Sequence, residues 1–412
     1  MYKHAVLTPD AARARLLAAL APLAPLPAER VPLAAALGRV LAEDLAAGGP
    51  LPPFDASTMD GYALRAADLP APGRRLPVAF QVFAGQSPPE LPPGACCRIF
   101  TGAPLPPGAD AVEMQEEVRR AGRWATFRRP AAPGRFVRAR GSELGAGEVA
   151  LRAGVVLDPG AIGLAAGLGR GELLVRRRPR VAVLPTGDEL VGPGGAAGPG
   201  RLPESNGAAL AAAVRDAGGE PLLLAPVPDE PRALARALEA ARGHDALVTS
   251  GGVSVGAKDL VRAALRDAGA ELDFWRVAMR PGKPFTFGRW GRAAVFGLPG
   301  NPTSALVTFE LFVRPALRAL AGLEGSGRLE VEARLGAAQE KPRELTVYLR
   351  CRARADGRTL RLDPSRTQSS GSLLSAADLD ALAILPAGKT RIARGAQVRA
   401  ILLRTPPSAR SR

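Results

Sequence analysis

The stretch TSGGVSVGAKD, Thr249 to Asp259, lies between a short apolar run, Ala246 to Thr249, and a segment of helical pattern. Paired glycines, Gly251 and Gly252, followed by Gly256, let a backbone turn sharply and bring N–H groups close to an anion. One such loop usually does no more than turn the chain. Two others share its construction: TGDEL (186–190) follows the apolar run RVAVLP from Arg180, and GLPGNP (297–302) follows AAVF from Ala293. Helices are expected from Ser205 or Asn206 to Ala217, from Asp229 to Ala241, from Asp259 to Ala268, and after the cap Asn301–Pro302. Strands are expected at Leu222 to Val227 and ahead of RPGKP (280–284). This alternation predicts an α/β fold built on a doubly wound parallel sheet.

In such a sheet the loops that follow the strands emerge at the carboxyl edge, where ligands bind. TGDEL, SGGVSVG and GLPGNP are therefore expected to meet, joining glycine amides and helix N-termini to Asp188, Glu189, Asp229 and Asp259. Arg276, Arg280 and Lys283 approach from another loop. Amides and cations hold an anion while carboxylates hold magnesium against it, so the mixture suits a phosphorylated substrate.

Toward the N-terminus, Thr8, Pro9 and Asp10 open a helix running to about Leu20. A second short helix is predicted over Leu33 to Asp44, and Pro50 to Phe54 extends the chain. DASTMDGYA (55–63) crowds carboxylates and hydroxyls together, as a ligand contact or a capped turn ending at Asp60 and Gly61. Pro77 to Phe136 reads as a β-rich domain, with the proline-rich loop Thr101 to Asp110 directly after a strand. A helix is predicted to open at Asp158 and Pro159. Beyond Gly322, Leu329 to Leu335, Leu345 to Arg354, Leu360 to Leu362, Ala381 to Leu385 and Val398 to Leu402 predict a small β-barrel or sandwich, with a hairpin turn at Asp356 and Gly357. The predicted domains are 1–49 with 139–178 (a discontinuous helical and extended linker), 50–138 (β-rich), 179–325 (α/β) and 326–405 (β-barrel).

The net charge is +16, but 50 of the 55 basic residues are arginine in a chain rich in alanine, glycine and proline throughout. That bias, with aromatics at 4% and not interleaved among basic runs, argues against a nucleic-acid partner. Attraction of an anionic small substrate remains. Cys96, Cys97 and Cys351 are too few for a disulfide framework, and with only His4 and His244 beside them a zinc site is not expected. No membrane span or signal peptide is read, which predicts a cytoplasmic protein.

Six segments in this order, FDASTMDGYA, TGAPLPPGADAV, LPTGDEL, SGGVSVGAKD, MRPGKPFTFG and GLPGNPTSA, resemble the molybdopterin molybdenumtransferase (MoeA) family, which includes the E domain of gephyrin. The resemblance covers nearly the whole chain. It implies a homodimer whose site lies between the α/β domain of one subunit and the β-rich domain of the other. It also implies magnesium-dependent insertion of molybdate into adenylylated molybdopterin, with release of AMP. Carried over by motif, Asp60, Glu189, Asp229 and Asp259 are catalytic, the last three as magnesium ligands. Thr101, Gly251, Gly252, Ser254, Gly256, Arg276, Arg280, Lys283, Pro299, Pro302, Arg350 and Ser372 bind substrate. Departures from the family pattern are Glu143 where an Asp is common, Glu204 opening a Glu-Ser-Asn run, and Arg280 where lysine is frequent. The implied partners are a molybdopterin adenylyltransferase and molybdoenzyme maturation proteins. Two alternatives are an adenylyltransferase acting on molybdopterin and a gephyrin-like scaffold, the latter disfavoured by the lack of a long linker.

Overall fold

The structure is a computed structural model, which describes residues 6–192, 194–196, 198–252, 260–325, 327–357 and 359–405. Segments Arg30–Leu37 and Leu41–Leu174 form one compact unit, and the rest of the described chain forms the other.

The second of these units is built around a six-stranded sheet. Its order is Glu220–Leu223, Arg180–Pro185, Ala246–Ser250, Ala293–Leu298, Pro284–Trp290, Glu271–Arg276. The first four run parallel, as predicted. The last two form an antiparallel hairpin, so the sheet is mixed. A strand pattern carries side-chain alternation but not direction, and RPGKP is too short for the helical crossover that a parallel return needs. Because two reversals separate them, Glu271–Arg276 again runs with Ala293–Leu298 and also delivers its following loop to the carboxyl edge. Alternate residues of Arg180–Pro185 serve two cores: Val181 and Val183 pack with Leu210, Phe287 and Phe296, while Ala182 and Leu184 pack with Leu234, Leu238, Val261 and Leu265. Burial on both faces is what makes these strands continuously apolar.

Helix Pro9–Leu20, capped by Thr8 Oγ1 on Ala11 N–H at 3.3 Å, adds Ala12, Leu16 and Leu20 to the first core. The helix from Pro302 is interrupted by a π-helical turn, Phe309–Val313, before Arg314–Leu320. Helix Asn206–Asp216 starts where expected, but its cap is Glu204 Oε1, which accepts from Gly207 N–H at 2.6 Å; Ser205 makes no capping bond. In the C-terminal part, Glu330–Leu335, Thr346–Asp356, Thr359–Pro364, Ala381–Leu385 and Gln397–Leu402 close into a five-stranded barrel, settling the earlier choice between barrel and sandwich.

The other unit holds a six-stranded sheet ordered Ala111–Met114, Gly61–Leu64, Cys96–Ile99, Arg75–Val82, Trp124–Phe127, Val118–Ala121. Successive cysteines point to opposite faces: Cys96 packs with Leu64, Leu76 and Phe127, and Cys97 with Val82, Ile99 and Val112. Burial pushes both thiols up to about 12, so they are inert core residues. The predicted helix over Leu33 to Asp44 is not formed. Only the 3-10 turn Leu33–Ala35 appears, because Leu41 and Ala42 donate their N–H groups to Val155 and Leu174 in strand-like bridges. Gly61 begins a strand and does not close a turn. Asp158 caps helix Pro159–Gly167 as expected, accepting from Ala161 N–H at 2.8 Å.

Candidate active site

Three parallel strands end in one row. Pro185 is in register with Ser250, and Ser250 with Leu298, so the three glycine-bearing loops leave the sheet at the same height. They are then tied together: Thr186 N–H donates to the Ser250 carbonyl at 2.9 Å and Gly251 N–H to the Leu298 carbonyl at 3.2 Å. Asn206 adds a second tie, its Nδ2 donating to Ser250 Oγ at 2.8 Å and to the Gly300 carbonyl at 2.7 Å. The N–H of Gly251, expected to face an anion, is thus taken by the framework, and this glycine contributes conformation. Its φ is +101°, and a Cβ there would stand 2.3 Å from the Thr186 carbonyl oxygen.

These loops enclose a cavity of about 760 Å³ whose lining includes Glu189, Asp229, Gly251, Gly252, Pro299 and Pro302. Six of the residues singled out from the sequence therefore meet in one place. The Glu189 carboxylate folds over Gly187, both oxygens lying 2.7 Å from where a Cβ would stand on that glycine. Asp188, exposed and outside the cavity lining, is a staple: its Oδ1 accepts from Asp229 N–H at 2.9 Å and so sets the height of the Asp229 loop. Ser254, Gly256 and Asp259 lie outside the described residues.

A second cavity of about 630 Å³ shares Pro284, Pro299 and Asn301 with the first. Arg280, Lys283 and Arg350 line it. Arg350 is 1% exposed, has no paired carboxylate among the described residues, and has an Nε without a hydrogen-bond partner there. Burial, reinforced by the like charge of Arg280, pulls its guanidinium down to about 10. Lys341, also on this wall, is satisfied by the carbonyls of Pro342, Leu345 and Lys389 at 2.8, 2.8 and 2.9 Å. Glu340 is the one carboxylate among the described lining residues. A buried cation facing others of its own sign is a site built for an anion.

Arg276 is not brought to either cavity; its guanidinium stacks 3.9 Å from the Trp275 ring centre. Ser372 caps the short helix Leu373–Ala377, and its carbonyl accepts from Thr303 Oγ1 at 2.9 Å. Sequence reading missed Gln368, Ser369 and Ser370, which line the second cavity, and took Asn206 and Asn301 only for helix caps. Asn301 makes no side-chain cap; its Nδ2 donates to Ser370 Oγ at 3.0 Å. The repeated polar residues of RTQSSGS at 366–372, directly after a strand, were the available signal.

In the other unit, Asp60 Oδ1 accepts from Thr101 N–H at 2.8 Å and from Thr101 Oγ1 at 2.9 Å. These two bonds, the backbone one first, hold the Asp60 carboxyl below the usual range. Glu143 pairs with Arg138. Thr101→Val removes one of the bonds to Asp60, so the Asp60 pKa should rise toward its ordinary value. The folded-state pKa is depressed, so the associated stability is present above the unfolded value and is lost as pH falls through the folded one. The acid limb of the pH–rate profile is accordingly expected to move to higher pH in Thr101→Val, and an unmoved limb would detach Asp60 from the reaction.

Three family descriptions match the chain: the MoeA N-terminal region (domain I and II) at residues 7–169, a probable molybdopterin binding domain at 182–319, and the MoeA C-terminal region (domain IV) at 332–403. Fold and cavities thus define the class, a multidomain α/β enzyme built on a molybdopterin-binding type of domain. Among similar proteins, molybdopterin molybdenumtransferase 2 of Mycobacterium tuberculosis is 42% identical over 76% of this chain and 80% of its own length. The molybdopterin molybdenumtransferase of Synechococcus elongatus is 38% identical over 95% and 98%. A solved molybdopterin biosynthesis MoeA protein from Pyrococcus horikoshii superposes with a TM-score of 0.83 at 32% identity, covering 97% of this chain and 100% of that one. The chain belongs to the molybdopterin molybdenumtransferase (MoeA) family.

Proposed function

We propose that this protein carries out molybdenum insertion in molybdenum cofactor synthesis, transferring molybdate to adenylylated molybdopterin with release of AMP. The observation that carries the reading is the pairing of cavities: one lined by carboxylates and glycines, the next by four cations against the single carboxylate Glu340 among the described lining residues, with Pro299 and Asn301 between them. A phosphorylated pterin suits the first, and a tetrahedral oxyanion suits the second. Arg350, Arg280 and Lys283 hold and orient the oxyanion, Asn301 and Pro299 set its approach, and the loop from Gly252 onward, including Ser254 and Gly256, receives the nucleotide-pterin phosphates.

Glu189 and Asp229 both line the first cavity, a hard oxygen donor set of the kind magnesium takes, though the described residues hold no cluster of three such ligands. With Asp259 as third donor they would hold the ion, which when bound neutralises phosphate charge. The Asp188 staple fixes where Asp229 stands.

The protein acts as a homodimer in this reading, with Asp60 and Thr101 of a second subunit completing each site. It works in the cytoplasm, receiving substrate from a molybdopterin adenylyltransferase and passing product to molybdoenzyme maturation proteins. No helix among the described residues is long and apolar enough to cross a membrane. Co-expressing an Asp60→Asn chain with a Glu189→Gln chain tests the composite site. Each variant alone should be inactive in AMP release, whereas random pairing leaves one intact site in half the dimers, or about a quarter of wild-type activity. No recovery in the mixture would place Asp60 and Glu189 in separate functions.

A further inference from the structure

Arg350 lies on the strand Thr346–Asp356, whose one edge pairs with Ala381–Leu385 and whose other edge changes partner part-way. On that second edge, Thr346 and Val347 pair with Met279 and Arg280, while Cys351 onward pairs with Thr359–Pro364. Between the two partners, no strand of the described residues pairs with Arg350 on this edge. Gln368 fills the gap with its side chain: Oε1 accepts from Arg350 N–H at 3.1 Å and Nε2 donates to the Arg350 carbonyl at 2.9 Å. A primary amide presents the donor and acceptor of a peptide group, so it stands in for a strand residue without bringing a strand's bulk. The same loop holds the arginine at two further points. Ser365 N–H donates to the Arg350 carbonyl at 2.9 Å, and Arg350 Nη2 donates to the Ser369 carbonyl at 3.2 Å.

The parting of the two strands matters because the second cavity opens there: Met279, Arg280, Leu349, Arg350 and Gln368 all line it. A continuous strand would occupy the opening between the two partners, and without Gln368 the Arg350 N–H would lose its partner among the described residues, leaving the carbonyl held by Ser365 N–H alone. We propose that Gln368 is a positioning residue for the oxyanion, replacing the missing strand partner so that the buried Arg350 guanidinium is presented at one fixed place on the cavity wall. The inference rests on the oxyanion reading of that cavity. A planar, directional donor loses bond strength steeply on misalignment, so a small main-chain shift at Arg350 reaches the bound anion.

Calorimetric titration of the full-length protein with molybdate alone, and separately with AMP as a probe of the first cavity, tests this. Gln368→Met keeps length and removes both hydrogen bonds; molybdate affinity should fall about tenfold while AMP affinity holds. Gln368→Glu keeps the acceptor and places a carboxylate beside the cation. Its molybdate affinity, taken relative to wild type at each pH, should weaken further as pH rises through the carboxylate range, and this profile decides the matter should Gln368→Met fail to fold. Unchanged molybdate affinity in Gln368→Met, equal loss of both ligands, or a flat profile in Gln368→Glu would overturn the assignment. Arg350→Ala separates the two layers: if it binds molybdate as wild type does, the oxyanion reading itself falls.

Discussion

Arg350→Met is expected to make the protein more stable and less active at once. The native guanidinium is 1% exposed, faces Arg280 and has no paired carboxylate among the described residues, so folding strips its hydration without returning an opposite charge. Methionine has similar length and no charge to desolvate. By analogy with buried ionic groups replaced by apolar ones, the gain is about 1–2 kcal/mol. That is read as a raised midpoint of thermal or denaturant unfolding. Catalysis should move the other way, kcat/KM for molybdate falling about 100- to 1,000-fold, as when a preorganised donor to a reacting anion is removed. AMP binding in the neighbouring cavity should persist. A less stable, fully active variant would show instead that the bond to the Ser369 carbonyl is what Arg350 is for. Opposed changes in stability and rate are the expected mark of a residue kept for chemistry.

This site was only partly legible in the sequence, and the division has a physical cause. Strand–loop–helix alternation is local, so the presence of Arg180–Pro185, Ala246–Ser250 and Ala293–Leu298 as strands and the exit of their loops at one edge followed from pattern alone. Their common finishing row, Pro185 to Ser250 to Leu298, is a matter of register between distant segments, and alternation cannot fix it. Direction was likewise hidden. The hairpin of Glu271–Arg276 and Pro284–Trp290 has the composition of its parallel neighbours, and only the shortness of its connection marks it as antiparallel. Apolar spacing in Leu33 to Asp44 suggested a helix that tertiary pairing of Leu41 and Ala42 overrides.

Side-chain ties were the least visible. Asn206 reads as a helix cap and works as a clamp on Ser250 and Gly300, because its partners come from loops 44 and 94 residues away. Gln368 is a single glutamine in a polar loop, and its meaning appears only when two strands are seen to part beside Arg350. The capping Glu204 shows the reverse: its acid was noticed as a departure, yet its structural role had to wait for the 2.6 Å contact with Gly207 N–H.

The paired glycines themselves should separate under substitution, and by a large margin. Gly251→Ala must hold a Cβ at φ +101°, a backbone region L side chains rarely adopt, and 2.3 Å from the carbonyl oxygen of Thr186. That oxygen belongs to the main chain where TGDEL leaves the sheet, and the loop's next N–H is fixed to the Val227 carbonyl at 3.0 Å, so it has little room to retreat. Relief must come by moving the Gly251 turn, which breaks its 3.2 Å bond to Leu298 and displaces the wall between the loops. The expected cost is about 2–4 kcal/mol of stability, with AMP release falling by at least about 100-fold, since Glu189 and Asp229 of the first cavity hang on the same loops. Gly252→Ala is milder. Its φ of +64° is an ordinary left-handed value, and the obstacle at 2.2 Å is a methyl of the buried Val261, a side chain that must turn or repack, where Gly251 meets main chain. A cost of about 1–2 kcal/mol is expected there. Denaturant melts and AMP-release assays on the two variants give the comparison directly. Equal effects would mean that the pair acts as a flexible hinge. A selective collapse of Gly251→Ala would mean instead that the first glycine is the point where three strand ends are locked into one site.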